Sequence, residues 1–533
     1  MGNDSLSYLS KKFYDPLYDV ITLRGKEPSN TGKKNTGRKS WILETTRPVK
    51  PEDYENIVYE LLDTYEMSRL NFLKQSGLSF LFLPSATHTR FAHSLGTYYL
   101  GDQTTARAWF QDDERRIQSL RTWLTEKKLL DDFLIALLLH DVGHFPFSHI
   151  LENNNCLYNI SDEKDQMIRF THEDVACNLI DPAEPTNPYF AAFRNMISER
   201  YGTFCDENQH LSKKLDKYVN GNNGIIDKNI IKYLISGKDE YLGKVKITNN
   251  TRTTKDIKTL KNFTSGLIDL DRMDHYRRDS LFMGVKLSNF NVLGLLNDIV
   301  LTYHGVIIKG DGFNHVLSLL QSKEILVDGV FEDVNNIAYE AMLNNAIEIY
   351  VKKESGFDQN KYLEVIYKII FLTDEELLSL LEKKGEDSVK HLIYRLKNRK
   401  PLEQLHQSPF KCTNVLAKSR RRINQLKETI ATRFKLSGEQ KDFLIFRIPK
   451  SFGIDKRKSF DEWLNLDELL DDKGNSFGET TKTMEIDYHK KKSIGRPSYF
   501  NVFYGPGLEG KKFETKRKDI GNAIYEYIQD GKF

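Results

Sequence analysis

Seven consecutive apolar residues, Phe133 to Leu139, run directly into His140-Asp141-Val142-Gly143-His144, and no other stretch restricts the fold as tightly. A helix that is apolar all round has to be buried, and Gly143 releases the chain just past its end. His140 and Asp141 are therefore delivered together at the end of a buried helix. A charged Asp in that place costs several kcal/mol unless an Arg, a Lys or a metal ion partners it. His93 upstream and Asp271 downstream complete a set of imidazole nitrogens and carboxylate oxygens. Such a set suits a hard divalent ion with positions left open for water and phosphate oxygens. We assign His93, His140, Asp141 and Asp271 to one metal.

The neighbours of these residues add chemistry. In Thr89-Arg90-Phe91-Ala92-His93, Arg90 lies three residues before a ligand and shares its helical face. Its planar fork fits a phosphate better than the point charge of a Lys. Asp269, Asp271, Asp274 and Asp279 lie on one helical pattern and cannot all point one way. Asp271 is taken as the ligand, Asp274 as a helix salt bridge to Arg278, and Asp279 as a substrate contact. His144, His149, Glu152, His172 and Glu173 form a second constellation, able to transfer protons near neutral pH.

At 533 residues the chain exceeds what one hydrophobic core usually serves. Helical periodicity at Ile57, Leu61 and Leu62, from Leu129 to Leu138, and at Leu293, Leu295, Leu296 and Val300 makes the core mainly α. We expect an N-terminal strand-like segment and loop over 1–50, a metallohydrolase core over 51–355 with an insertion at 200–262, a charged helical region over 356–440, and a mixed α+β region over 441–533. The strands expected in the last region are Phe443 to Ile448 and Tyr499 to Tyr504. Hydrophobic residues make up 39% and charged ones 29%, as in an ordinary globular protein, and no run approaches the roughly 18 apolar residues of a membrane span. With no apolar signal core at the N-terminus, residence in the cytoplasm is expected. Cys156, Cys177, Cys205 and Cys412 lack metal-binding spacing and are read as free thiols. A net charge of +3 gives little bulk attraction to nucleic acid.

From about Lys11 to about Ala346 the chain resembles the HD-superfamily dNTP triphosphohydrolases, a group that includes bacterial dGTP triphosphohydrolases and the animal dNTPase with a sterile-alpha-motif domain. The resemblance rests on Phe13-Tyr-Asp-Pro-Leu-Tyr, on Leu83-Pro-Ser-Ala-Thr-His-Thr-Arg-Phe-Ala-His-Ser-Leu-Gly96, on Leu139-His-Asp-Val-Gly-His-Phe-Pro-Phe-Ser-His149, on Thr171-His-Glu and on Leu270-Asp-Arg-Met-Asp-His-Tyr-Arg-Arg-Asp. It implies an HD-domain helical core with small α+β lobes, and one divalent metal ion (Mn, Mg, Fe or Zn) per active site. Arg90 and His144 would contact the triphosphate, and His149 would be the proton donor to the 5′ oxygen, assisted by Glu152 and His172. Gln75, Arg272, Tyr276 and Asp279 would contact sugar and phosphate. Lys11, Asp63 and Arg69 match positions of a nucleotide effector site at subunit contacts, so a homo-oligomer is implied. The chain departs from the family at Ser76, where the animal enzyme has a Leu beneath the ribose, at His275, where a Tyr is usual, and at Asn71, where the animal enzyme uses an Arg for its guanine activator.

The implied reaction releases a deoxynucleoside and inorganic triphosphate, in nucleotide-pool control or antiphage defence. One alternative is an HD phosphodiesterase acting on a cyclic dinucleotide or a nucleic-acid end. A second is a non-enzymatic nucleotide or nucleic-acid binding protein that uses the basic runs Lys418 to Arg422 and Lys490 to Lys492.

Overall fold

A computed structural model describes residues 11–23, 51–152, 160–161, 167–168, 171–182, 210–219, 225–245, 252–266, 269–285, 291–309, 312–356, 358–410, 416–447, 498–505 and 508–529. The chain opens with a hairpin, β1 (Lys11–Asp15) against β2 (Asp19–Leu23). Helix α1 (Pro51–Leu62) follows, and then α2 (Arg90–Arg107), whose first turn is capped by the Thr89 hydroxyl accepting from the Ala92 N–H. A small sheet takes β3 (Trp109–Gln111) and β4 (Ile117–Ser119). The apolar run forms α3 (Leu130–Leu139), in which every residue from Phe133 to Leu139 is at most 2% exposed. Burial of each large side chain there contributes about 1.5–3 kcal/mol, and this fixes α3 as the central helix.

The second ligand-bearing half is built from α4 (His172–Ile180), α5 (Lys228–Ser236), α6 (Thr254–Ser265) and α7 (Leu270–Met283). The expected insertion does not stand apart among its described residues. Leu211 and Leu215 of a helix over Leu211–Val219, with Ile230, Ile231, Leu234, Ile257, Leu260 and Phe263, are fully buried in the main core, because all three helices are amphipathic and turn their apolar faces inward. The periodic stretch around Leu293 is also shorter than its spacing suggests. A helix over Val292–Asn297 gives way to the fully buried strand β5 (Ile299–Thr302), paired in parallel with β3 and antiparallel with β6 (Gly305–Ile308). Over so few residues a buried strand and a buried helix have the same apolar pattern.

Helix α8 (Val334–Ser355) leads into three further helices, α9 (Gln359–Ile370), α10 (Asp374–Lys384) and α11 (Asp387–Lys397). Strand β7 (Glu403–Phe410), helix α12 (Leu416–Arg433), strand β8 (Ile445–Arg447), strand β9 (Ser498–Tyr504) and helix α13 (Glu514–Gln529) complete the described chain. The strands form one antiparallel sheet in the order β8-β9-β7. A second, smaller core of Leu426, Ile430, Leu444, Val502, Ile520 and Ile524 lies among α12, α13 and this sheet. The architecture is mainly α with small sheets, as the sequence predicts. No described helix is long and apolar enough to cross a membrane. Cys156, Cys205, Cys412 and Lys490 to Lys492 lie outside the described residues, as do the side chains of Lys418 to Arg422.

Candidate metal centre

Helices α2, α3 and α7 converge at their ligand-bearing ends. His93 sits in the first turn of α2, His140 caps the C-terminus of α3, and Asp271 opens α7, where the N-cap Asp269 accepts the Asp271 backbone N–H. Two glycines permit the approach. A Cβ on Gly96 would strike the carboxylate of Asp274 and the guanidinium of Arg278, so this position lets α7 lie against α2. A Cβ on Gly143 would strike the backbone of His172 and Ala176, so the turn after His140-Asp141 rests flat on α4.

The hydrogen bonds on the far side of each ring decide what the near side can do. His93 donates from Nδ1 to Asp274 Oδ2 at 2.8 Å, and His140 donates from Nδ1 to the Leu137 carbonyl at 2.8 Å. In the neutral rings both Nε2 atoms therefore carry lone pairs, and they face each other at 3.2 Å. Asp271 Oδ1 lies 2.9 Å from His93 Nε2 and 3.7 Å from His140 Nε2, while Asp141 places one oxygen 3.7 Å and the other 3.5 Å from the same two nitrogens. Facing lone pairs flanked by two carboxylates make a donor set that only a cation satisfies, so the residues fit a divalent metal. Burial alone would lower His93, yet hydrogen bonds to Asp271 and Asp274 raise it to about 10. Burial opposes ionisation of Asp141, but Arg90 and the two histidines hold its carboxyl well below the usual range.

Asp274 does more than its expected salt bridge. It does pair with Arg278, through Nε and Nη2 at 2.8 Å each, and it also orients His93 and accepts the Tyr18 hydroxyl at 2.8 Å. A sequence signal for this was the spacing of Asp274 three residues after Asp271 on one helical face.

The second constellation assembles beside the first. Glu152, buried, gives one oxygen to His149 Nδ1 at 2.7 Å and the other to His172 Nδ1 at 3.2 Å. Their Nε2 atoms are thereby turned outward from Glu152. His172 is raised to about 10, burial being outweighed by Glu173 and Glu152, and desolvation in the cleft lowers His149 against the pull of Glu152. His144 is different. Its Nδ1 accepts the Phe145 N–H at 3.0 Å, so the neutral ring carries its proton on Nε2, an atom fully buried without a hydrogen-bond partner. Burial and the nearby Arg90 hold His144 well below its ordinary value. The three rings could geometrically group around an ion, but the Phe145 contact makes His144 a neutral N–H donor rather than a ligand.

A cleft of 560 Å³ joins the two sets, lined among others by Gln75, Arg90, Asp141, His149, His172 and Asp271. Arg272, Lys261 and His275 line it too. Arg90 is held by Asp141 at 2.5 Å and by the Ser148 hydroxyl at 3.1 Å. The buried Gln75 Oε1 has no hydrogen-bond partner among the described residues. Asp279 is fully buried, within 2.5 Å of His88 Nε2, 2.7 Å of His275 Nε2 and 3.1 Å of the Ser76 hydroxyl, and neither it nor the buried Tyr276 lines the cleft.

The residues expected at an effector site lie in different surroundings. Asp63 is exposed, and the side chain of Lys11 lies outside the described residues. Arg69 is 2% exposed and donates to the carbonyls of His144, Ile370, Phe371 and Leu372 at 2.9–3.1 Å. Its fork is bonded to three main-chain oxygens left over at the C-terminus of α9 and to the His144 carbonyl.

No family model matches the chain. A putative HD domain-containing protein of Acanthamoeba polyphaga mimivirus is 27% identical over 251 residues, which is 46% of this chain and 44% of that protein. A deoxynucleoside triphosphate triphosphohydrolase homologue of Dictyostelium discoideum is 26% identical over 227 residues, 43% of this chain and 34% of that protein. The chain is thus similar over part of its length to an HD domain-containing protein and to a triphosphohydrolase homologue. An uncharacterized protein of Mycoplasma genitalium is 34% identical over 158 residues, 29% of this chain. The chain spans 32%, 44% and 34% of the lengths of the Mycoplasma, mimivirus and Dictyostelium relatives. In fold it is similar to a phosphohydrolase of Bacteroides thetaiotaomicron, with a TM-score of 0.54 at 18% identity over 93% of this chain and 99% of that one. Among the described residues, His93, His140 and Asp271 form a group that could hold a metal ion.

Proposed function

We propose that this HD-type phosphohydrolase is a dNTP triphosphohydrolase, releasing a deoxynucleoside and inorganic triphosphate. The observation that carries the reading is that Asp141 and Asp271 of the metal set, His149 and His172 of the relay, and the cations Arg90, Lys261 and Arg272 all line one nucleotide-sized cleft. The triphosphohydrolase named among its relatives supports the same substrate class.

His93, His140, Asp141 and Asp271 would hold the divalent ion, which supplies Lewis-acid withdrawal of charge from the phosphoryl group. Water adds to the α-phosphorus as the bond to the 5′ oxygen breaks. His149 gives its proton to that leaving oxygen, and Glu152 steadies the ring through Nδ1. His144 donates its Nε2–H to a phosphoryl oxygen, a role its tautomer suits. Arg90 and Arg272 offset the charge of the departing triphosphate. The unpartnered Gln75 Oε1 accepts a sugar hydroxyl.

The test is chromatography of products after incubation with Mn²⁺ or Mg²⁺ and each dNTP, singly and in pairs, beside a His140→Ala/Asp141→Ala control. Deoxynucleoside and triphosphate, absent from the control, are expected. Products cut at another bond, or no turnover under any pairing, would overturn the reading and direct the search to cyclic dinucleotides and nucleic-acid ends.

A further inference from the structure

Phe147 and Ser148, the two residues before His149, have φ of 54° and 59°. Two successive non-glycine residues in the left-handed region persist only where their surroundings over-determine them. Much of what holds them comes from more than 200 residues away in sequence. Asp374, in the first turn of α10 and 3% exposed, accepts the Phe147 N–H on Oδ1 at 2.6 Å and the Lys74 N–H on Oδ2 at 2.8 Å. One carboxylate thus ties the backbone beside Gln75 to the backbone beside His149. The Ser148 hydroxyl closes the same loop by donating to the Lys74 carbonyl at 2.7 Å while it receives Arg90 Nε. Arg69 binds the preceding corner, Ile370 to Leu372, to the His144 carbonyl.

Asp374 is not spent on its own helix. The N-terminus of α10 is already capped reciprocally: Thr373 Oγ1 accepts the Glu376 N–H at 3.3 Å and Glu376 Oε2 accepts the Thr373 N–H at 2.8 Å. The Asp374 carboxylate instead points across to the cleft-lining turns. It does so at a cost, since burial pushes it up to about 6. An acid kept in an unfavourable place, and bonded among the described residues to two main-chain groups that flank cleft residues, has the marks of selection for geometry rather than stability.

We propose that Asp374 is a positioning residue of the active site, fixing the turn that aims His149 at the leaving group. The α9–α10 corner is then part of the catalytic apparatus, although it follows the metal ligands by about a hundred residues. The proposal rests on the reading of His149 as the proton donor.

The experiment compares Asp374→Asn, Thr373→Ala, His149→Ala and the Asp374→Asn/His149→Ala double variant of the full chain, loaded with Mn²⁺ and supplied with dNTPs. Asn retains one acceptor but turns a donor toward the second N–H, so one tie breaks. Asp374→Asn should lower kcat roughly tenfold or more with little change in KM or in bound Mn²⁺. Thr373→Ala, which removes only the helix cap, should lower the melting temperature and leave kcat alone. In the His149→Ala background Asp374→Asn should cost nothing further. A kcat for Asp374→Asn within about twofold of wild type, or a loss that adds in full to that of His149→Ala, would overturn the proposal. If the wild-type chain turns over no dNTP, the substrate reading falls by itself. Amide exchange then decides for Asp374: a peptide spanning 140–152 must exchange faster in Asp374→Asn than in Thr373→Ala, and equal rates refute it.

Discussion

Replacing Asp274 with Asn should weaken metal binding in an otherwise folded chain, and the size of the effect can be worked from the four hydrogen bonds the carboxylate accepts. Oδ2 accepts from His93 Nδ1 and Arg278 Nε, and Oδ1 from Tyr18 and Arg278 Nη2, at 2.8 Å in every case. Whichever way the amide turns, its NH₂ faces two donors. One charge-assisted bond to Arg278 is lost, together with one bond from either His93 or Tyr18. The site is fully buried, so water cannot replace either. At about 1.5–3 kcal/mol for the charged bond and 1–3 for the stranded donor, the loss is roughly 3–5 kcal/mol, in the range for breaking a buried ion pair. Burial opposes ionisation of Asp274, yet Arg278 and His93 hold its carboxyl well below the usual carboxylate range, so this stabilisation is present above the free pKa near 4 and is lost as the pH falls below it.

The loss at the metal is separate. Without a carboxylate to receive Nδ1–H, His93 no longer has its Nε2 lone pair fixed toward Asp271, and affinity for Mn²⁺ should fall about 10–100-fold. Calorimetric titration of the apo-protein reads the affinity, and denaturant unfolding reads the stability. Tyr18→Phe is the control, expected to cost about 1 kcal/mol with Mn²⁺ affinity unchanged. Wild-type Mn²⁺ affinity in Asp274→Asn would refute the claim that this carboxylate orients the ligand.

Two other outcomes are expected. Gly96→Ala should destabilise the chain by about 1–3 kcal/mol, since its Cβ meets the Asp274–Arg278 pair, and should weaken Mn²⁺ binding with it; a fully stable variant with normal affinity would show that α2 and α7 can part without consequence. In chelator, His172 is raised from 6.5 to about 10, so its contribution to stability is complete below about pH 6.5 and lost as the pH rises through about 10. Glu152→Gln should flatten the melting temperature against pH across that window, and an unchanged slope would exclude the Glu152–His172 pair as its source.

The metal set was legible because its logic is local. A wholly apolar helix that ends in His140-Asp141 allows few environments, and the remaining ligands followed from residue type. The mainly helical fold was legible for the same reason, since 3.6-residue spacing survives in a single sequence. What sequence could not give is which side chains meet across long separations. Asp374 touches Lys74 and Phe147, Asp15 in β1 pairs with Arg278 at 2.8 Å, and no local pattern encodes either contact. Arg69 shows the converse. Its residue type suited an effector anion, while its bonds to four main-chain carbonyls are visible only once the end of α9 is in place. The stretch around Val300 was misjudged for a third reason, since burial on both sides erases the period that separates strand from helix.

The five histidines of the two constellations are sorted more sharply by their distal bonds than by position. His93 and His140 give Nδ1–H away and turn lone pairs inward, which is what a cation requires. His149 and His172 share one carboxylate through Nδ1, whose pull toward the charged ring prevails at His172 and is outweighed by burial at His149. His144 receives a backbone N–H on Nδ1, which fixes it as a neutral donor. Each assignment depends on a partner outside the cleft: Asp274, the Leu137 carbonyl, Glu152 and the Phe145 amide. The chemistry of the centre is therefore written in the layer behind the histidines, and a substitution there changes what a ring can do while leaving the ring itself in place.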